Sequence, residues 1–297
     1  MLAVVPSPVK VGNVHCVDRS APVTRGDVAN AFDALGLGGR PACVHSSLSS
    51  FGWVDGGADA VIDGILDAGC TLMVPAHAWS AYSVRPAADQ WWERNGAHHA
   101  FLPAPGHNRE SRYTTSSTAI DRAMGAIPAR VLQRDGRVRG DHPLMSFAAV
   151  GPLAHALVDG QRADSVFAPV QTLADHGGAF VLMGVSLQRL TLLHYAEQLA
   201  GRQPLVRWAN GPDGEPMEME AGGCSAGFDR LARPLRGELR SSRVGPSKWI
   251  TGDAAPVIAA AAAAMQSQPS ITHCAASCAR CDDVIAGGPS RRVNLRQ

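Results

Sequence analysis

The sequence predicts an α/β protein: a central, largely parallel sheet flanked by helices in αβα layers, with a smaller irregular lobe. Three observations predict it. PACVH at 41–45 and CTLMVPA at 70–76 are short, almost continuously apolar runs, as expected of strands buried on both faces, and AFVLMGV at 179–185 is another. An amphipathic segment separates the first two, and strand, helix, strand at this spacing is a βαβ crossover. The chain is also large enough, at 297 residues and 45% hydrophobic, to bury one full core.

Taken in order, TRGDVANAFDALG (24–36) reads as a helix. Thr24 caps it, Asp27 stands three residues on, Val28, Ala31, Phe32 and Leu35 share a face, and Gly36 stops it. After the first strand comes HSSLSSFG, then a helix over about Ala58 to Ala68 with Val61, Ile62, Ile65 and Leu66 on one side, then the second strand. Residues 76–115 are irregular and rich in Trp, His, Pro and Gly; a stretch so long reads either as a lid or pocket wall or as a packed surface excursion. A helix around Ala119 to Leu132 follows. HPLMSFAAVG (142–151) carries a strand with His142 at its beginning, and GPLAHALVDG (151–160) a short helix. The strand at 179–185 leads into TLLHYAEQLAG (191–201), a helix that Gly201 terminates. Residues 205–250 hold no strong periodicity, and 254–265 is helical by alanine content. Residues 24–285 are expected to form a single domain, with 1–23 as an extension and 286–297 as a tail.

Composition narrows the function classes. A net charge of +1 with scattered Lys and Arg argues against a nucleic-acid partner. No stretch approaches about 18 uninterrupted apolar residues, and the start lacks a signal-peptide pattern, so a cytoplasmic protein is expected, with no membrane partner. Seven cysteines, an odd number with Cys16, Cys43, Cys70 and Cys224 far apart, predict reduced thiols.

The segment richest in chemistry is TLLHYAEQLAG, because His194 and Glu197, three apart on a helix, share one face. With Thr191 as N-cap, His194 falls in the first turn, where the positive end of the helix dipole favours the neutral imidazole a general base needs. The same pair also marks solvated helix faces and satisfied buried histidines. HSSLSSFG, after a buried strand and dense in hydroxyls and backbone donors, suits an acyl or pantetheine group, and equally an ordinary turn. The tail HCAASCARC sets Cys274, Cys278 and Cys281 in a spacing that can serve an iron-sulfur cluster or zinc. It lies at the end of the chain without the βα repeats of a radical enzyme, so no metal is expected.

Four segments in order, VHSSLSSFGWVDGGADAVIDGIL, HPLMSFAAVGPLAHAL, FVLMGVSLQRLTLLHYAE and CARCDDV, resemble the aminoglycoside 3-N-acetyltransferase, or antibiotic N-acetyltransferase, family over roughly residues 25–285. The resemblance implies that family's fold rather than the smaller, commoner acetyltransferase fold. It implies direct transfer of acetyl from acetyl-coenzyme A to an amine of a 2-deoxystreptamine aminoglycoside, giving antibiotic resistance, by a monomer or homodimer. His194 would be the base, and Glu197 would orient it or hold a substrate ammonium. Ser46, Ser47, Leu48, Ser49 and Phe51 match the loop that contacts pantetheine; Arg139, His142 and Pro143 match the second segment near the cofactor.

This chain departs from the family pattern in reading Arg139-Gly140-Asp141-His142-Pro143 where Arg-Ser-x-His-Pro is usual, and Ala168-Pro169 where Ser-Pro is usual. A polycation calls for carboxylates, and by position these are Glu197, Asp89 and Glu93, with His77, Trp79 and Tyr82 as walls. A ping-pong enzyme acylating Cys43 or Cys70, a non-catalytic binder, and a biosynthetic acyltransferase for another amine are the rival readings.

Overall fold

The computed structural model describes residues 21–87, 90, 92, 94–96 and 103–289. Helix α1 (Arg25–Ala34) begins with the expected reciprocal cap: the Thr24 hydroxyl accepts from the Asp27 amide while the Asp27 carboxylate accepts from Thr24. Strand β1 (Pro41–Ser46), helix α2 (Gly57–Asp67) and strand β2 (Thr71–Pro75) form the predicted crossover. The short helix α3 (Trp79–Tyr82) opens the irregular region.

The helix expected from Ala119 is much shorter. It comprises only α4 (Ala126–Val131), preceded by a single 3-10 turn. Gly125 at φ 88° breaks the chain just before it, and Pro128 is tolerated only in a first helical turn, because its ring blocks the preceding turn from continuing. Strands β3 (Val138–Arg139) and β4 (Phe147–Val150) follow, so His142 sits in the turn between two strands rather than at the start of one. Helices α5 (Ala154–Val158) and α6 (Ala168–Asp175), strand β5 (Ala179–Met183) and helix α7 (Leu192–Leu199) come next. Residues 205–250, which show no period in sequence, hold the hairpin β6 (Leu205–Asn210) and β7 (Pro216–Ala221) and the strand β8 (Arg240–Val244). Strand β9 (Ser247–Asp253), helix α8 (Ala254–Ser267) and helix α9 (Ala279–Ile285) complete the fold.

Seven strands make one sheet in the order β3-β4-β2-β1-β5-β9-β8, and β6 and β7 form a separate ribbon. The centre β2-β1-β5 is parallel, as expected, while both flanks are antiparallel. Alternate strand residues enter two cores. Ala42, Val44, Leu72, Val74 and Val181 meet residues of α1, α2 and α4, whereas Cys43, Met73, Phe180 and Leu182 meet those of α5 to α8, so helices cover both faces. Trp249, fully buried, lies edge-on to Phe32 and Phe51 at ring distances of 5.8 and 6.0 Å. None of the described helices is long and apolar enough to cross a membrane.

Candidate active site

The C-terminal ends of the three parallel strands deliver the site, as expected for an open α/β sheet. Ser46 to Ser49 leave β1, His77 stands two residues beyond β2, and the chain after β5 turns through 184–190 into α7 with His194. Two cavities meet there. One, of about 600 Å³, is bordered by Ser46, Ser47, Leu48 and Ser49 and by the turn after β5. The other, of about 450 Å³, is bordered by Trp79, Arg207, Trp208, Gly222, Gly223 and Arg280. His77, Met145, Arg189, His194 and Ser225 line both. A wider cleft of about 1020 Å³ beside Arg230, Arg233 and His273 contains none of the expected site residues.

His194 is held from three sides. Its Nδ1 lies 2.7 Å from Glu197 Oε2, its ring stacks on Phe167 at 5.9 Å, and Phe228 packs against it at 4.8 Å. Because a carboxylate only accepts, Nδ1 carries the donated proton, and Nε2 has no protein partner among the described residues. Thr191 does occupy the N-cap position but makes no side-chain cap, and the Glu197 carboxylate joins the helix end as a charge beside the ring.

Glu197 is anchored in turn by Arg202, whose Nη1 lies 2.8 Å from Oε1. The sequence reading misses Arg202, although Gly201 signals it. Gly201 at φ 88° ends α7, and the Arg202 amide returns to the Glu197 carbonyl at 3.0 Å, which folds the guanidinium back over the helix end. Thr272 Oγ1 accepts from the same Nη1, and the Pro269 carbonyl accepts from Nη2. His194, Glu197 and Arg202 are all under 10% exposed, so both carboxylate oxygens of Glu197 are matched inside a buried chain that ends at His194. Glu197 therefore faces the imidazole and Arg202 and borders neither cavity, which leaves it unsuited to hold a substrate ammonium.

Several other expected residues lie elsewhere. Phe51 is a core residue against Trp249, not a wall of the first cavity. Arg139 is buried, its guanidinium spent on Ser146 and the carbonyls of Ala76, Ser117 and Ala119, so it pins the chain just before His77 rather than meeting a cofactor. His142 is fully buried: Nε2 donates to the Glu220 carbonyl and Nδ1 accepts from the Met145 amide. Pro143 is buried beside it, outside both cavities. Tyr82 packs edge-on against Tyr113 at 5.3 Å and borders neither cavity. Asp89 and Glu93 lie outside the described residues. Cys43 is wholly buried and its thiol is pushed far up by that burial; Cys70 is raised for the same reason, so neither offers the accessible thiolate of a ping-pong route.

Burial depresses three further imidazoles: His45 to about 3, His77 to about 4 and His142 to about 4, with the charge of neighbouring His77 adding to the effect at His45. All three stay neutral in the folded protein near neutrality, while the unfolded chain protonates them around 6.5. The unfolded state thus binds more protons below that value, and stability falls as pH drops from about 6.5 toward 4, by at most about 1.4 kcal/mol per pH unit per histidine. Melting curves between about pH 7.5 and 5.5, above the carboxylate range, should show Tm falling with acidification. A flat Tm there contradicts this assignment.

Gly222 lies flat against the base. A Cβ at this position would stand 2.9 Å from His194 Cδ2 and 3.1 Å from Nε2. The ring, clamped by Glu197, Phe167 and Phe228, has little room to yield. Gly222→Ala is expected to cut turnover about tenfold and, because a clamped ring must give way to the new methyl, to cost about 1–3 kcal/mol of stability, as read from kcat and a melting curve side by side.

The profile of the family described as aminoglycoside 3-N-acetyltransferase matches residues 43–266. The chain belongs to this family. Aminoglycoside N(3)-acetyltransferase VIII of Streptomyces fradiae is 37% identical over 191 residues, which is 60% of this chain and 62% of that protein. Aminoglycoside N(3)-acetyltransferase VII of Streptomyces paromomycinus is 35% identical over 189 residues, with the same two shares. The match thus spans less than two thirds of the length of these curated relatives. The crystal structure of aminoglycoside acetyltransferase AAC(3)-Xa superposes with a TM-score of 0.67 at 26% identity, covering 84% of this chain and 94% of that one. Within the aminoglycoside 3-N-acetyltransferase family, then, the fold is shared.

Proposed function

We propose that the protein transfers acetyl from acetyl-coenzyme A to an amino group of a 2-deoxystreptamine aminoglycoside. The observation that carries this is one imidazole, bound through Nδ1 to a buried carboxylate, standing where two cavities meet. The cavity beside Ser46 to Ser49 suits pantetheine, since the turn after β1 offers hydroxyls and backbone amides to a chain of amides and a thioester. The second cavity takes the amine.

An aliphatic amine is protonated at neutral pH and must lose a proton to attack. In the proposed step the ammonium first gives one proton to solvent; the neutral amine nitrogen then bonds to the thioester carbonyl carbon, His194 Nε2 accepts the second proton released from nitrogen, and the carbon–sulfur bond breaks. The coenzyme thiolate then takes that proton from the imidazolium, leaving amide, free thiol and a neutral base. Glu197 stabilises the transient imidazolium, and Arg202 keeps the carboxylate in place. His77 Nε2 is buried at the junction of the cavities without a partner among the described residues, and a bound reactant would satisfy it.

Among the described residues, the lining of the second cavity includes Arg189, Arg207 and Arg280 and no carboxylate. The experiment is acetyl-coenzyme A turnover against a panel of 2-deoxystreptamine antibiotics and other amines, with the acetylated position mapped. Acetylation at the 3-amino group supports the reading; robust turnover of other amines alone replaces it with a biosynthetic acyltransferase.

A further inference from the structure

We propose that Cys224, Cys274, Cys278 and Cys281 together hold one zinc ion, a structural site independent of acetyl transfer. Their four sulfur atoms lie within 4.8 Å of one another, and among the described residues they are the one group of three or more His, Cys, Asp or Glu side chains so placed. The Cys224–Cys274 and Cys274–Cys281 sulfur separations are both 3.6 Å. Four thiolates around zinc at about 2.3 Å form a tetrahedron with edges of about 3.8 Å. A disulfide would need about 2.05 Å, and the cysteines of a four-iron cluster, each on its own iron, stand farther apart than sulfurs sharing one ion.

The sequence hides this set. Cys-x3-Cys-x2-Cys supplies three ligands, and the fourth lies 50 residues upstream, beyond the β6–β7 hairpin. The surrounding backbone is already ordered for ligation. The Cys274 amide points at Cys281 sulfur, 3.5 Å away. Arg230 donates to the carbonyls of His273 and Cys274, and His273 Nε2 is 2.6 Å from Asp282.

A full set of four thiolates leaves no open position for water or substrate, so the ion's role is to tie chain segments together. The tie reaches the active site at two points. Cys224 follows Gly222 and Gly223, the first of which rests on the His194 ring. Two residues before Cys274, Thr272 receives the hydrogen bond from Arg202 that steadies Glu197. Zinc would thus clamp α9 and its preceding loop to the strand end that covers the base.

The test is elemental analysis of the whole protein, purified without added metal or chelator, with cobalt(II) exchange of the same preparation. The expected result is about one zinc per chain, and after exchange the visible spectrum of tetrahedral cobalt with thiolate charge-transfer bands. Cys278→Ser should lose the zinc and lower Tm by at least about 5 °C. If that variant does not fold, release of zinc from the wild-type protein by a mercurial, with four thiols titrated per ion, reads the same site. Four thiols free in a zinc-less, folded protein, stoichiometric iron in place of zinc, or disulfides found by mass spectrometry would each overturn the proposal.

Discussion

Replacing His194 by alanine should lower acetyl transfer by about two orders of magnitude or more while leaving coenzyme A affinity within about twofold. The split follows from where the ring stands. It is one residue of the wall of the cavity proposed for the coenzyme, which the Ser46 to Ser49 turn, the 123–128 segment and the loop after β5 also build. Removing the imidazole therefore removes the proton acceptor without removing the cofactor's seat. Steady-state kinetics and calorimetric titration of coenzyme A on the same variant check both halves. Near-normal turnover would take the base role from His194, and lost coenzyme binding would mean the residue is a wall of the cavity first.

Glu197→Ala is expected to damage both stability and rate. The carboxylate is the anionic partner of Arg202, which is 6% exposed, and its loss leaves a guanidinium buried beside Thr272 and the Pro269 carbonyl with no counter-charge. Breaking such a buried pair costs about 3–5 kcal/mol. The imidazole also loses the acceptor that fixes its Nδ1 proton, so kcat should fall by at least about tenfold in the fraction that folds, with KM for coenzyme A little changed. Glu197 acts here as a positioning residue. Replacing the pair together, Glu197→Leu with Arg202→Met, should recover much of the lost stability and none of the rate. Recovery of the rate in the double variant would show that neither group serves the base.

The strands at 41–46, 71–75 and 179–183 were legible because apolar continuity and the βαβ spacing are local signals. So was the pairing of His194 with Glu197, since both lie within one helical turn of α7. What local pattern cannot show is which way a long-range partner turns. Arg139 and His142 stand in a segment that matches the cofactor region of the family, yet their side chains are consumed inside the fold by the carbonyls of Ala76 and Glu220. Phe51 follows the serine-rich turn in sequence but meets Trp249 from the far flank of the sheet. The β6–β7 hairpin was readable in retrospect. Gly211-Pro212-Asp213-Gly214 is a turn signal, and Met217, Met219 and Ala221 alternate with Glu218 and Glu220, but three of the residues facing inward are small or polar and blunt the pattern. Arg202 needed the left-handed turn at Gly201 before it could be connected with Glu197 at all.

Gly222 and Cys224 belong to the same class of long-range information. One fits the imidazole face and the other meets three distant thiols, and neither contact has a sequence period. Both converge on the loop after β7, which makes that loop the structural neighbour of the base rather than a connector.

The central claim is that the His194 Nε2 lone pair receives the proton of the attacking amine. A structure of the protein with coenzyme A and an aminoglycoside tests it most directly. The account predicts the acceptor amine nitrogen within about 2.6–3.2 Å of Nε2, directly or through one water, with Nδ1 still on Glu197. An amine seated beyond that reach, with the ring turned to the protein interior, would contradict it.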